Sequence, residues 1–211
     1  EEEVMALTNY SELKSSIADF LNRDDLTAVI PTFISLAEAQ FARDLRHYQM
    51  ENRATGTIDG QYMTKPSDWL ETIRINITTA NTRPLDLLSS QAMVDKRANY
   101  LDLTGIPRYY RHSENQFEFF PSPDDSYGVE LLYYQRVPAL SDSNTTNWLL
   151  TEAPDTYLYG SLVHSAPYLS EDQRTAIWAQ LFGAAMQRLN QSSDEAVYSG
   201  SGLVMRNRGL A

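Results

Sequence analysis

The sequence predicts an α+β protein: a helical bundle formed by N- and C-terminal helix pairs, with an inserted β-rich lobe and an extended C-terminal tail. Three observations support this prediction. Both ends of the chain carry apolar residues at helical spacing. The middle holds short β-branched and aromatic runs separated by Gly, Pro and Asn. The final stretch contains three glycines, and its only charged side chains are two arginines, which predicts an extended or disordered segment.

The N-terminal part predicts two amphipathic helices joined by a short link. Apolar residues recur at helical spacing from 13 to 21, and Asn9 with Glu12 has the spacing of an N-terminal capping box. This helix is expected to end near Asn22. A second helix accommodates Pro31 in its first turn and is expected to end near Tyr48. Helices joined by so short a link favour an antiparallel pair.

The middle of the chain predicts strands and one short helix. Residues 72–78 alternate strictly between apolar and polar, as a half-buried strand does. Residues 113–115 form a plausible hairpin turn between two aromatic runs, and residues 127–136 supply another long strand. Residues 90–99 have the character of a helix.

The C-terminal part predicts a second helix pair. Pro154 suits a first turn, and this helix is expected to end at Pro167. Ser170 with Gln173 has capping-box spacing at the start of a long last helix. The apolar stripe expected on that helix is Ile177, Leu181, Ala184, Ala185 and Leu189.

The expected domain organisation therefore has four parts. They are an N-terminal helix pair at 1–50, an inserted β-rich lobe at 51–147, a C-terminal helix pair at 148–198, and an extended or disordered tail at 199–211. The only charged side chains of that tail are two arginines, whereas the chain as a whole is acidic.

Composition excludes several classes of function. Seventeen Lys and Arg against twenty-eight Asp and Glu give a net charge of −11, whereas an extended nucleic-acid interface needs a positive surface. The absence of cysteine rules out disulfides, thiol nucleophiles and cysteine-based zinc sites. No apolar run approaches the ~20 residues of a membrane span, and the first residues lack the pattern of a signal peptide. We therefore expect a soluble chain with no membrane association.

No motif in the sequence predicts catalysis, a metal site or a cofactor. His47, His112 and His164 lack the spacing of a helical metal site. Asp155, Ser161 and His164 lie on one predicted helix, where a nucleophile, a base and an orienting acid cannot converge. We expect no catalytic residues, no metal and no cofactor, and hence a protein that is not an enzyme.

Two alternatives remain open at this stage. The first is a virion-associated cell-wall glycan hydrolase, in which Asp24–Asp25 or Asp124–Asp125 would act as acid and base, although adjacent aspartates more often form turns and caps. The second is a generic oligomeric binding module. Tyr109–Tyr110 and Tyr133–Tyr134 place one ring of each pair away from the local core, which suits either an interface or a strand buried on both faces.

Eight short segments, in their order along the chain, together resemble a known protein family. They are residues 8–13, 37–46, 65–71, 119–123, 131–134, 147–150, 154–160 and 206–209. Together they span nearly the whole chain and resemble the bacteriophage head-to-tail adaptor (connector) family, the ring proteins beneath the portal of tailed phages. None of them is a catalytic signature.

The resemblance implies a structural virion protein at the head–tail junction, made in the host cytoplasm. It implies a dodecameric homo-oligomeric ring with the portal protein above, the tail nozzle protein below, and DNA passing through the lumen without sequence-specific binding. It also implies no cofactor, and a C-terminal tail that reaches the portal. The corresponding portal-interface residues are Leu203, Val204, Met205, Arg206 and Arg208.

Overall fold

The structure, a computed structural model, describes residues 7–79, 83–169 and 174–198. The chain divides into two compact units: a helical unit of Glu1–Tyr48 and Val137–Ala211, and a β unit of Gln49–Arg136. The α-helices in the described ranges are α1 Tyr10–Leu21, α2 Ile30–Asp44, α3 Ser90–Asn99, α4 Trp148–Glu152, α5 Pro154–Leu169 and α6 Thr175–Tyr198. The strands there are β1 Glu51–Ile58, β2 Tyr62–Thr64, β3 Trp69–Ile77, β4 Arg83–Pro84, β5 Asp86–Leu87, β6 Tyr109–Ser113, β7 Gln116–Phe120 and β8 Tyr127–Gln135.

Capping residues and a proline define the ends of the first two helices. The Asn9 side chain accepts a hydrogen bond from the Glu12 backbone N–H at 3.0 Å and so caps α1. Asn22 follows the helix in the left-handed conformation, with φ at +53°. Pro31 lies in the first turn of α2, as predicted. That helix ends at Asp44, and a separate turn of 3-10 helix covers Tyr48–Met50.

The arrangement of the helical unit differs from the predicted one. The α+β class is as predicted, but the arrangement of helices as N- and C-terminal pairs is wrong. The C-terminal part holds three described helices, and α5 packs against α1, α2, α4 and α6. It can do so because Gly160, Ser161 and Ser165 give α5 a second buried face of small residues. A Cβ at Gly160 would lie 3.0 Å from Phe182 on α6 and 3.3 Å from Ala37 on α2.

The end of α5 also differs from the sequence expectation. Pro167 lies inside the helix, which continues to Leu169. The ring nitrogen of proline has no hydrogen to donate, but the residues after it can still complete the last turn. The predicted cap formed by Ser170 and Gln173 lies outside the described residues.

The chain returning to the helical unit is held by a polar network centred on Glu38 of α2. Glu38 Oε1 accepts hydrogen bonds from the Leu140 N–H at 2.7 Å and from the Tyr157 hydroxyl at 3.2 Å. The Asn147 amide donates to the same Tyr157 oxygen and to the Pro138 carbonyl, both at 2.7 Å. Asn147 also caps α4 through its side-chain oxygen. The segment from Pro138 to Asn147 is therefore fixed to α2 and α5.

Glu38 leads to a prediction about stability. Burial raises the pKa of its carboxyl, and the hydrogen bonds from Leu140 and Tyr157 only partly oppose that shift. Above this raised pKa, the buried charge on Glu38 lowers the free energy of unfolding. As the pH falls through the raised pKa, the carboxyl is protonated and this lost stability returns. Glu38→Gln keeps the acceptor oxygen without the charge, so we expect equal or higher stability in urea unfolding at neutral pH.

The matched variant Glu38→Ala removes the acceptor as well. We expect it to lose about 1–3 kcal/mol, because two donors inside the helical unit would be left without a partner. Equal stability of Glu38→Ala and Glu38→Gln would contradict the importance of this network.

The β unit contains two four-stranded sheets. The first has the order β1-β8-β3-β4 and is antiparallel throughout, whereas the second has the order β2-β7-β6-β5 and contains one parallel pair, β5 with β6. Both sheets contribute to one apolar core. Its buried members are Ile58, Ile75, Ile77, Leu85, Tyr110, Phe117, Phe119, Val129, Leu131 and Tyr133.

Local predictions in the β unit were mostly accurate. The hairpin at 113–115 is confirmed, since β6 and β7 pair with Ser113 opposite Gln116, and the predicted helix at 90–99 corresponds to α3. The strict alternation expected at 72–78 is wrong, since Ile73 is exposed and Asn76 is buried along with Ile75 and Ile77. A register shift between Thr72 and Arg74 turns Ile73 outward, while Ile75 stays in the core.

Candidate assembly surfaces

The three histidines are packed into the fold separately. His47 stacks on Trp148 with ring centres 5.0 Å apart, and the His164 ring contacts Gln40 Oε1 at 3.0 Å. His112 packs among the aromatic rings of the β unit. Burial lowers the pKa of all three imidazoles. Within residues 7–79, 83–169 and 174–198, no group of three or more His, Asp or Glu side chains could hold a metal ion.

The aspartate pairs considered for glycan hydrolysis form turns and ion pairs. Asp124 accepts a hydrogen bond from the Tyr127 hydroxyl at 2.6 Å, which raises the pKa of that tyrosine to about 12. Asp125 accepts from the Ser126 N–H. Asp25 is bound to the guanidinium of Arg23 at 2.6 Å. Asp25, Asp124 and Asp125 are thus engaged in local contacts with residues one to three positions away in the chain.

A loop after α3 displays apolar side chains to solvent. We call residues 100–106 the apolar loop. Leu101 is 81% exposed and Tyr100 is 58% exposed, while Leu103 and Ile106 are exposed to a lesser degree. Scattered single apolar residues are common on protein surfaces, whereas clustered ones are typical of contact sites, so this loop is a candidate assembly surface. This loop was not predicted from the sequence, although four large apolar residues in so short a segment between a helix and a strand could have indicated it.

Backbone hydrogen bonds fix the apolar loop at its start, where it leaves α3, and near its end, beside the segment that follows β7. The Tyr100 N–H donates to the Lys96 carbonyl at 3.0 Å, and the Gly105 N–H donates to the Ser122 carbonyl at 2.9 Å. Gly105 has φ at +147°, a conformation that side chains with a Cβ rarely adopt. These hydrogen bonds and the glycine therefore define the backbone conformation of the loop within the β unit.

A buried ion cluster anchors the helix that carries the loop. Glu118 on β7 is only 2% exposed. Its Oε1 accepts from Arg97 Nε of α3 at 2.8 Å and from the Gln61 amide at 3.0 Å, and its second oxygen contacts Arg111. Arg97 also donates to the Phe119 carbonyl at 2.9 Å. Burial favours the neutral acid, but the hydrogen bonds from Arg111, Gln61 and Arg97 together hold the pKa of Glu118 below its ordinary value.

The cluster gives a prediction with a pH signature. Glu118→Gln is expected to destabilise the β unit by about 2–4 kcal/mol, because Arg97 and Arg111 lose the carboxylate they share. Since the pKa is lowered, this stabilisation is present above the ordinary glutamate pKa and is lost as the pH falls through the lowered value. Urea unfolding between about pH 7 and about pH 3 should show a smaller acid loss in the variant than in the unmodified chain.

Glu114→Gln, at the exposed hairpin turn of the same sheet, is the matched control. It should leave the stability at neutral pH unchanged. A Glu118→Gln chain as stable at neutral pH as this control would refute the anchoring role of the cluster.

A cavity of about 500 Å³ adjoins the apolar loop. Phe120 and Pro121 contribute apolar surface, and Lys96 and Arg108 bring positive charge beside it. The Lys96 ammonium lies 4.2 Å from the ring centre of Tyr109. We call the apolar loop and this cavity together the loop surface. It combines aromatic side chains with Arg108, and both residue types are enriched at protein interfaces.

A second apolar surface lies on the helical unit. Sequence analysis assigned Ile177, Leu181 and Ala184 to the core-facing stripe of α6, but all three are exposed in the structure. The buried face is rotated by about one residue. It consists of Trp178, Phe182, Ala185, Met186 and Ser193. We call the exposed row of Ile177, Leu181 and Ala184 the outer face of α6.

The portal-interface residues expected from the sequence lie outside the described residues. They are Leu203, Val204, Met205, Arg206 and Arg208. Their role stays a prediction.

The described chain thus offers two exposed apolar surfaces, the loop surface and the outer face of α6, as candidate contacts with other molecules. No helix in the described ranges is long and apolar enough to cross a membrane. A protein-family model described as SU10 adaptor protein matches residues 8–206. The chain therefore belongs to this family of phage head-to-tail adaptor proteins, and it is a structural component of the virion. No curated protein sequence matches the chain.

Membership of the family also defines the partners in general terms. An adaptor associates with the portal and the tail in the virion. The family is structural, in agreement with the expectation of a protein that is not an enzyme.

Proposed function

We propose that this protein forms a closed ring, most simply a dodecamer, that joins the portal to the tail nozzle and leaves a channel for DNA. The observation that carries the proposal is the presence of two different exposed apolar surfaces on one subunit. A ring is built from heterologous contacts, in which one face of each subunit meets a different face of the next. The loop surface and the outer face of α6 supply two such faces.

The occupant that we propose for the loop surface is a second copy of the same chain. Lys96 and Arg108 place positive charge beside the exposed leucines. The chain as a whole carries a net charge of −11, so a second copy offers the complementary sign. Exposed Leu101 and Tyr100 then gain burial that the isolated subunit does not provide.

The acidic composition also suits a channel through which DNA slides. DNA is retained by cationic surfaces that displace its counterions. A ring made from chains with 17 cationic and 28 anionic side chains lacks the excess of positive charge needed to hold it. DNA would therefore pass through the lumen without sequence-specific binding.

Co-sedimentation of the purified chain with portal rings from the same virus tests the proposal. We expect the chain to pellet with the portals at a fixed ratio, and the mass of the free chain is to be measured alongside. A chain that ignores portal rings and remains monomeric at every ratio would overturn the proposal. The hydrolase alternative has no support from the contacts of Asp124 and Asp125.

A further inference from the structure

Gly183 lies in the middle of α6 without a packing reason in the described part of the chain. A glycine inside a helix is less favourable than an alanine, because it loses more conformational freedom on folding. At Gly160 the reason is plain, since a Cβ there would press on Phe182. A Cβ at Gly183 would meet nothing within 4 Å. Close approach of another segment of chain would explain this glycine.

Gly183 lies at a groove on the helical unit. The groove has a volume of about 360 Å³ and is lined by apolar Val163, Phe182 and Met186, with Gln40 and Asp44 of α2 on its polar side. We call it the α6 groove. An extended backbone can approach a helix most closely where a side chain is missing, so Gly183 marks the point of contact.

The charge of the groove indicates what it accepts. Among the residues that line the groove, Asp44 carries the charge, and its exposed carboxylate accepts a hydrogen bond from the Gln40 amide at 3.3 Å. A segment that complements this groove would have apolar side chains for its apolar lining and a cationic side chain for Asp44. Residues 199–211 have this composition, with Leu203, Val204 and Met205 followed by Arg206 and Arg208, and they include no acidic residue.

The length of that segment suffices to reach the groove. α6 ends at Tyr198, and Gly183 lies fifteen residues before that end, which is about 22 Å along the helix. The thirteen residues from 199 to 211 span up to ~43 Å when extended. They can therefore turn back at glycines 200 and 202 and still cross the groove.

We propose that residues 199–211 bind in the α6 groove of their own chain, with the backbone close to Gly183 and an arginine near Asp44. One consequence rests on the proposed function: the segment cannot contact the portal while it lies in the groove. Docking on the portal would then draw the segment out of the groove, so the free subunit and the assembled subunit would hold it in different places.

A nitroxide spin label tests this binding in the full chain without any portal. The chain has no cysteine, so Asn207→Cys gives a single attachment point between the two arginines. We expect an immobilised spectrum that does not change on dilution. Gly183→Leu should fill the groove and abolish the immobilised component. Because leucine favours helix and meets open space there, the variant should fold.

Gln180→Leu, three residues earlier on the same helix, is the matched control, because Gln180 is exposed and lies outside both the groove and the outer face of α6. It should keep the immobilised spectrum. Equal spectra for Gly183→Leu and Gln180→Leu would overturn the proposal, and so would a free label in the unmodified chain. Immobilisation that disappears on dilution would show contact between copies and would also overturn it. The spin-label experiment uses no portal, so its result does not depend on portal co-sedimentation. The groove proposal and the ring proposal can therefore be contradicted independently.

Discussion

Leu101→Asp is expected to abolish the contact between neighbouring subunits and to leave the subunit folded. The Leu101 side chain is 81% exposed, so the fold loses almost nothing when it is replaced. In the proposed ring the same side chain is buried against a second copy. Loss of its burial costs about 1.5–3 kcal/mol per contact, and an unpaired buried carboxylate adds to that cost. Each contact should therefore weaken by at least about tenfold.

The measurement is the number of chains bound per portal ring, read by native mass spectrometry as the chain is titrated. The unmodified chain should fill the ring cooperatively to one fixed number, whereas Leu101→Asp should give a spread of low occupancies. Leu87→Asp is the matched control, because Leu87 is also exposed on the β unit but lies outside the loop surface. Complete rings formed by Leu101→Asp would refute the assignment of the loop surface.

Deletion of residues 201–211 is expected to abolish portal binding without unfolding the helical unit. The described helices of that unit already share a buried core, which includes Leu13, Phe41 and Leu162. The lost residues include the three apolar side chains and two arginines predicted to contact the portal. Circular dichroism should show unchanged helix content, and a pull-down with portal rings should recover no chain.

Arg206→Ala with Arg208→Ala provides a milder version of the same test. It keeps the length and apolar residues of the segment, so binding should weaken and become less sensitive to salt. Full portal binding by the deleted chain would place the portal contact elsewhere in the protein.

Local chemistry made several elements predictable from the sequence. The helix at α3 and the hairpin between β6 and β7 depend on residues close together in the chain, and both lie where they were expected. The register of β3 could not be foreseen, because the outward turn of Ile73 arises from its pairing with β8.

The packing of the helices depends on contacts that the apolar pattern does not encode. α5 contacts four other helices because Gly160, Ser161 and Ser165 make its second face small, and small residues do not register as a hydrophobic stripe. α6 has apolar residues on more than one face. Periodicity therefore favoured Ile177 and Leu181 as core residues, whereas Trp178 and Phe182 are the ones buried. The same ambiguity leaves an apolar surface exposed for assembly.

The candidate site was predictable only in part. The resemblance to adaptor proteins gave the class of protein correctly, and the family match over residues 8–206 confirms it. The apolar loop was missed because its side chains follow no helical or strand period, although their number in so short a segment is unusual. The α6 groove depends on three helices meeting, which sequence periodicity does not reveal.

Electron microscopy of the purified chain bound to portal rings tests the central claim most directly. We expect a closed ring of twelve subunits, coaxial with the portal and open along its axis. An open arc, scattered single copies on the side of the portal, or a density that closes the channel would contradict the account.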